Sequence, residues 1–370
     1  MLYHLLYPLR DIFFGFNVFR YITFRAAYAA VVGFIVTVWL VPKIIKWSER
    51  HALKERISED VPERHRVKEG TPSSGGLAFI AGVTIAVVLF AKLTNPFIWV
   101  ALGTTIYLGI MGFIDDKIKL MGHKKRGMSK RWKLILQSVL ALAVFAFIFL
   151  KYPEGVKFNG EIVDARTVIH SLFFKRVWIN LSFFYPIFLL FVFVGTTNAV
   201  NLTDGLDGLA AGAALSPIAA FTIVAYVEGH VKIAHYLHVL FIPGIGELSV
   251  FGAAFFGALL GFLWYNCHPA EIFMGDTGSQ ALGGALAIMA ILTKQEVLLA
   301  IAGGLFVIEA VSVIIQVIYF RRTGGKRFFL RAPIHHHFEL KGWPEPKIVV
   351  RFWLISLIFA LFAISTLKVR

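Results

Sequence analysis

One cysteine, Cys267, is the only thiol in 370 residues. An intrachain disulfide and any cysteine-based zinc site are therefore excluded. Charge is sparse too. Asp, Glu, Lys and Arg make up 16% of the chain, and acids are the minority, 22 against 37 basic residues. No polar gap exceeds a few dozen residues, so the chain has no room for a separate soluble domain. It has no tandem repeat and no low-complexity tract. The N-terminus lacks the small-residue cleavage site of a secretory signal peptide, so its apolar residues are expected to stay in the mature protein.

What remains is apolar. Hydrophobic residues are 58% of the chain, and the mean hydropathy is +0.72. Stretches long enough to cross a bilayer, roughly 20 residues each, recur along the whole sequence. This predicts an all-α, polytopic membrane protein with a single domain over 1–370. Ten transmembrane helices are expected, at about 24–44, 75–93, 97–114, 132–150, 184–200, 208–227, 249–266, 279–293, 298–320 and 349–367. The aromatic segment Phe13–Tyr21 is expected at the interface.

Loop charges set the orientation. Lys46, Arg50, Lys54, Arg56, Arg64, Arg66 and Lys68 follow the first span. Lys117, Lys119, Lys124, Lys125, Arg126, Lys130 and Arg131 follow the third, and Arg321, Arg322, Lys326, Arg327, Arg331, Lys341 and Lys347 the ninth. The loops after spans two, six and eight hold one basic residue each, Lys92, Lys232 and Lys294. The positive-inside rule then puts odd-numbered loops in the cytoplasm and both termini on the periplasmic side. Arg10, Arg20 and Arg25 count against this assignment. The formal charge of +15 reads as attraction to an anionic leaflet rather than to nucleic acid, since no basic-aromatic groove pattern accompanies it.

Four polar clusters all fall on the predicted cytoplasmic side, although lysines and arginines alone set that side. Asp115-Asp116 ends span three, where the helix dipole disfavours carboxylates. Two adjacent carboxylates repel unless a cation or proton relieves them. They read as a metal- or phosphate-handling pair, or as a pair neutralised by Lys117 and Lys119. Asn201-Leu-Thr-Asp204-Gly-Leu-Asp207-Gly joins spans five and six, and reads as a ligand site or as a turn with Asp207 as N-cap. Asn266 and Phe273-Met-Gly-Asp276-Thr-Gly-Ser279 join spans seven and eight; Asp276 is a ligand or a cap. His335-His336-His337 lies between spans nine and ten, and consecutive histidines rarely converge on one ion. Oxygen ligands without a cysteine-histidine set indicate magnesium, which bridges carboxylates to substrate phosphates. Glu309, inside span nine with Gln316 seven residues on, reads as a structural clamp or as a functional intramembrane acid.

The stretches Gly70-Thr-Pro-Ser-Ser-Gly-Gly76, Gly112-Phe-Ile-Asp115-Asp116, Asn198-Ala-Val-Asn201-Leu-Thr-Asp204-Gly-Leu-Asp207-Gly208, Phe273-Met-Gly-Asp276 and Ala332-Pro-Ile-His335-His336-His337 resemble the phospho-N-acetylmuramoyl-pentapeptide-transferases. These belong to the polyprenyl-phosphate N-acetylhexosamine-1-phosphate transferase superfamily. The resemblance runs over essentially the whole chain, and the triple histidine is its most specific part. It implies transfer of phospho-MurNAc-pentapeptide from UDP-MurNAc-pentapeptide to undecaprenyl phosphate. The products are lipid I and UMP, formed with magnesium at the inner membrane of a bacterium. It implies that Asp276 ligates the metal and that Asp115 is the base, with Asp116 beside it. Lys119 and Lys133 would meet phosphates. Lys68, Ser73, Asn201, Asp204, Gly205, Leu206, Asp207, Asn266 and Phe273 would line the donor pocket, Phe273 stacking on uracil. His335, His336 and His337 would serve the sugar-phosphate side. Membrane lipids surround the protein, and a homodimer is a family expectation. Ser73-Ser74, Lys117 and Thr277 depart from the usual Thr-Met, Tyr and Val, and none removes an implied ligand. The rival readings are a transferase using UDP-GlcNAc and a membrane transporter, which would carry polar residues at mid-membrane helix breaks.

Overall fold

In a computed structural model, the chain is described for residues 1–50, 70–121, 127–152, 154, 156–158, 161–170 and 178–369. The helices are α1 (Leu2–Leu6), α2 (Ile22–Arg50), α3 (Gly76–Phe90), α4 (Pro96–Met121), α5 (Lys130–Lys151), α6 (Tyr185–Thr203) and α7 (Leu209–Glu228). They continue as α8 (Val231–Leu237), α9 (Leu248–Asn266), α10 (Gly275–Leu292), α11 (Glu296–Ala302), α12 (Gly304–Arg322), α13 (Ile334–Leu340) and α14 (Glu345–Val369). Start signals are local. Pro96 opens α4 with its φ already helical. Ser129 caps α5, its hydroxyl accepting from the Trp132 N–H at 3.4 Å. The segment expected at the interface forms a 3-10 helix, Phe14–Arg20.

Eight helices among the described residues are long and apolar enough to cross a membrane: α2, α4, α5, α6, α7, α9, α12 and α14. The chain is thus an all-α, polytopic membrane protein. The other two expected spans differ in kind. The 75–93 stretch forms the shorter apolar helix Gly76–Phe90. The 279–293 stretch forms α10, buried from Thr277 to Leu292 and so wrapped by protein on every side. The 298–320 stretch is not one helix: it breaks at Gly303 into α11 and α12. A Cβ on Gly304 would stand 2.7 Å from the Phe359 ring of α14, so the break is a point of close packing. Two short antiparallel hairpins lie between α5 and α6, β1 (Val156–Phe158) with β2 (Glu161–Val163) and β3 (Val168–His170) with β4 (Trp178–Asn180). The helical reading did not anticipate them.

Close backbone contacts hold the bundle. Helix α9 packs along α2, and Gly257 sits so tightly against the Ala30 carbonyl that any Cβ there would collide with it. Without water, helices gain from such close approach rather than from hydrophobic burial.

The end of the bundle away from Asp115 carries buried ion pairs that the loop count treated as free charge. Arg25 is 2% exposed. Its guanidinium grips Glu247 through two bonds, 2.7 and 2.6 Å, and reaches the Phe90 carbonyl at 3.2 Å. Arg25 is therefore neutralised, which removes one of the three arginines that opposed the predicted orientation. Lys294 is buried as well, its ammonium 2.6 Å from the Tyr185 hydroxyl and 3.8 Å from Glu296. Burial pushes the Lys294 ammonium down to about 8. Both chain ends lie at this end: the amino terminus donates to the Leu89 carbonyl at 3.1 Å, and Lys368 reaches the Tyr236 carbonyl at 3.5 Å. Removing one member of a buried pair strands the other. Arg25→Ala is expected to cost about 3–5 kcal/mol, read as a lower unfolding temperature in detergent. An unchanged unfolding temperature would show that Glu247 finds another partner.

Candidate active site

Helix α4 continues past the expected end at 114 to Met121, so Asp115 and Asp116 lie inside it. Neighbouring residues on a helix point about 100° apart. The two carboxylates consequently face different partners. Gly112, one turn earlier, lies against the Asp276 carbonyl, where any Cβ would collide. That contact presses α4 onto the first turn of α10. The segment before α3 joins them: Gly75 N–H donates to the Phe273 carbonyl at 2.9 Å, and Phe273 N–H to the Pro72 carbonyl at 2.9 Å. Ser73 is thereby buried beside Gly275, its Oγ 3.0 Å from where a Cβ on that glycine would stand.

Two acids meet around two lysines. Lys119 Nζ is 3.0 Å from Asp115 Oδ2 and 2.6 Å from Asp276 Oδ2. Lys133 Nζ, from α5, is 2.7 Å from Asp115 Oδ2 and 3.4 Å from Asp276 Oδ2. Asn201, near the end of α6, donates from Nδ2 to Asp276 Oδ1 at 2.9 Å and to Ser279 Oγ at 2.8 Å. Residues from four helices, far apart in sequence, so converge on one spot. Asp115 is 1% exposed, yet both lysines reach it from the open side.

Asp116 does something else. Its Oδ1 accepts the Asp276 N–H at 3.0 Å, and its Oδ2 accepts the Thr277 N–H at 2.9 Å and the Thr277 hydroxyl at 2.7 Å. A carboxylate from α4 therefore caps the N-terminus of α10, where the helix dipole favours negative charge. Both oxygens are engaged away from the lysines, so Asp116 faces the start of α10 while Asp115 faces the ammonium groups.

A second group of loops adjoins the first. Asp207 Oδ2 accepts from His268 Nδ1 at 3.0 Å and from the Ala270 N–H at 3.2 Å, while the Asp207 N–H donates to Glu345 Oε1 at 2.8 Å. Asn266 accepts the Gly208 N–H at 3.2 Å and donates to the Ile272 carbonyl at 2.8 Å. The N-cap of α7 is Gly208, with φ 73°, and not Asp207. Its left-handed backbone suits glycine. Leu206 is buried below this turn, Asp204 closes α6, and Phe273 is half-buried.

The three histidines separate. His335 is fully buried against Glu309, His336 Nδ1 lies 3.0 Å from Glu339 Oε2, and His337 Nδ1 accepts the Leu330 N–H at 3.1 Å. Burial holds His336 below the usual histidine range, against the opposing pull of Glu339. Each Nδ1 thus turns to a different partner.

The sequence pattern of glycosyl transferase family 4 matches residues 98–294, a stretch that holds both Asp115 and Asp276. A phospho-N-acetylmuramoyl-pentapeptide-transferase of Desulfotalea psychrophila is 50% identical over 370 residues, all of both chains. Those of Thermodesulfovibrio yellowstonii and Desulfosudis oleivorans are 48% and 49% identical, again over 100% of each chain. The chain belongs to the phospho-N-acetylmuramoyl-pentapeptide-transferase family.

Whether this transferase site fits a divalent ion can be judged from its donors. Asp115 Oδ2 and Asp276 Oδ2 both reach one ammonium nitrogen, at 3.0 and 2.6 Å, so a single cation position serves two carboxylates. Two carboxylates and no soft ligand are the protein share expected for magnesium, which completes its shell with water and phosphate oxygens. Asp207, His268 and Glu345 also bring ligand atoms within 4.8 Å of one another. Asp207 Oδ2 and Glu345 Oε1 accept backbone N–H groups that fasten loops, whereas Asp115 Oδ2 and Asp276 Oδ2 face side-chain ammonium groups, which another cation can replace. Lys68 lies outside the described residues. Glu345, His268, Thr277 and Ser279 were not anticipated. Glu345 and His268 carried no pattern beyond their places beside Pro344 and Pro269, while Thr277 and Ser279 stood in a motif already singled out.

Proposed function

We propose that this chain transfers phospho-N-acetylmuramoyl-pentapeptide from its UDP carrier to undecaprenyl phosphate, forming lipid I and UMP. We further propose that it works on the cytoplasmic face of the bacterial inner membrane through ten membrane-crossing segments, with both termini periplasmic and magnesium as cofactor. The observation that carries this reading is the meeting of Asp115, Asp276, Lys119 and Lys133 at one end of the bundle. The lysine-rich loops expected in the cytoplasm open from that same end.

An oxygen of the lipid phosphate attacks the sugar-bearing phosphorus of the donor. A P–O bond forms there, and the bond to UMP breaks. Anion attacks anion, so catalysis is chiefly electrostatic. Lys119 and Lys133 exchange their carboxylate partners for phosphate oxygens as substrates enter. Asp115 takes the proton of a lipid phosphate that arrives protonated, and orients its oxygen. Asp276 and Asp115 would hold magnesium, which would neutralise diphosphate charge. Asn201 fixes the Asp276 carboxylate. The Asp204–Gly208 turn and Phe273 take the nucleotide side. Attack is direct: the nucleophilic oxygen already exists on the lipid phosphate, so no covalent relay through Asp115 is needed.

The test is UMP release by purified protein in detergent, dependent on undecaprenyl phosphate and magnesium. Labelled phospho-sugar trapped on the protein without lipid would reject direct attack, and activity with UDP-GlcNAc alone would reject the donor. Phe273→Ala is expected to weaken UMP binding about ten-fold, the scale of one lost stacking contact. Calorimetry checks this, and unchanged affinity would remove Phe273 from the base site.

A further inference from the structure

Glu309 has no part in the mechanism above, although an acid inside a membrane span is costly to keep. It is fully buried in α12, its Oε2 3.1 Å from Nδ1 of the equally buried His335. Two turns along the same face, Gln316 Oε1 accepts the Phe328 and Phe329 N–H groups at 3.2 and 2.9 Å. The chain after α12 therefore folds back along that helix, first over Gln316 and then to Glu309. This return explains how a mid-span acid meets a loop histidine.

The other ends of the pair are as informative. Glu309 Oε1 and His335 Nε2 are buried with no hydrogen-bond partner among the described residues. An apolar pair would pack there without leaving polar atoms unmet. Across the ring lies Gly205, where a Cβ would collide with Nε2 and stand 3.0 Å from Cε1. His335 is therefore wedged between Glu309 and the turn that carries Asp204 and Asp207. A carboxylate on Nδ1 fixes both the ring plane and the proton arrangement of an imidazole.

We propose that Glu309 is a positioning residue for the donor site: it holds His335 against Gly205 and thereby sets the Asp204–Gly208 turn. This rests on the proposed transfer reaction, so wild-type UMP release is measured first, and its absence would reject that reaction rather than this role. Glu309→Leu is then expected to raise the KM for UDP-MurNAc-pentapeptide about ten-fold. The KM for undecaprenyl phosphate should hold, while the unfolding temperature falls because a buried imidazole loses its partner. Glu309→Gln keeps an oxygen for the Nδ1 proton and should restore the donor KM. Gly205→Ala, which displaces the ring from the opposite side, should raise the donor KM similarly and combine non-additively with Glu309→Leu. If Glu309→Leu does not fold, Gly205→Ala and Glu309→Gln decide. A donor KM unmoved in Gly205→Ala, donor and lipid KM rising together, or a lost unfolding temperature with intact KM would each overturn the role.

Discussion

Asp276→Asn is expected to reduce turnover by about a thousand-fold, the scale for a lost electrostatic partner of the transition state, with the unfolding temperature unchanged. The amide is nearly isosteric, and its oxygen can still accept from Asn201 Nδ2, which lies 2.9 Å from Asp276 Oδ1. What disappears is a negative charge at the point shared by Lys119 and Lys133. With it goes a ligand for the divalent ion. Asp115→Asn should behave alike, since Asp115 offers its Oδ2 to the same two ammonium groups. UMP release by each purified variant, measured beside its thermal unfolding, checks this. Turnover within ten-fold of wild type in either would show that the charge at that residue is dispensable, and would take it out of the reaction.

The contrast between these acids and their neighbour shows what a sequence discloses. Asp115 and Asp276 were visible because carboxylates beside apolar spans need a reason, and because separate motifs fell on one predicted side. Their convergence follows from Gly112, whose missing Cβ lets α4 reach the Asp276 backbone. A lone glycine inside an apolar run carries no such message. The division of labour between Asp115 and Asp116 depends on where α4 ends, and the hydropathy window stopped at 114 while the helix runs on to Met121. The break at Gly303 was hidden for a similar reason: Ala302-Gly303-Gly304 is as apolar as the helices on either side. Arg25 and Lys294 looked like loop charges because their partners, Glu247 and Glu296, are set by tertiary packing. Glu309 could be read as a clamp, but its partner could not be named until the chain after α12 was seen to turn back.

Asp116→Ala is expected to lower both the unfolding temperature and the turnover. Three hydrogen bonds to the start of α10 vanish together, two from backbone N–H groups and one from Thr277 Oγ1. Bonds to a charged acceptor are worth about 1.5–3 kcal/mol each, and those donors then lie in the interior with no replacement. Asp276 sits on the freed turn, and a shift there of about 1 Å can cost on the order of a hundred-fold in rate. Asp116→Asn is not benign either. Asp116 accepts at both oxygens, so the amide nitrogen must point its hydrogens at a donor. Thermal unfolding separates this from the neighbouring acid: in Asp115→Asn the part-exposed Lys119 and Lys133 can turn to water, so turnover is lost at little cost in stability, whereas the backbone donors on Asp116 cannot move away. If Asp116→Ala instead unfolds like the wild type yet makes no UMP, the carboxylate acts in the chemistry, and the start of α10 is held by the Gly112 contact, the Asn201 bonds and the close packing of Gly76 on Gly278.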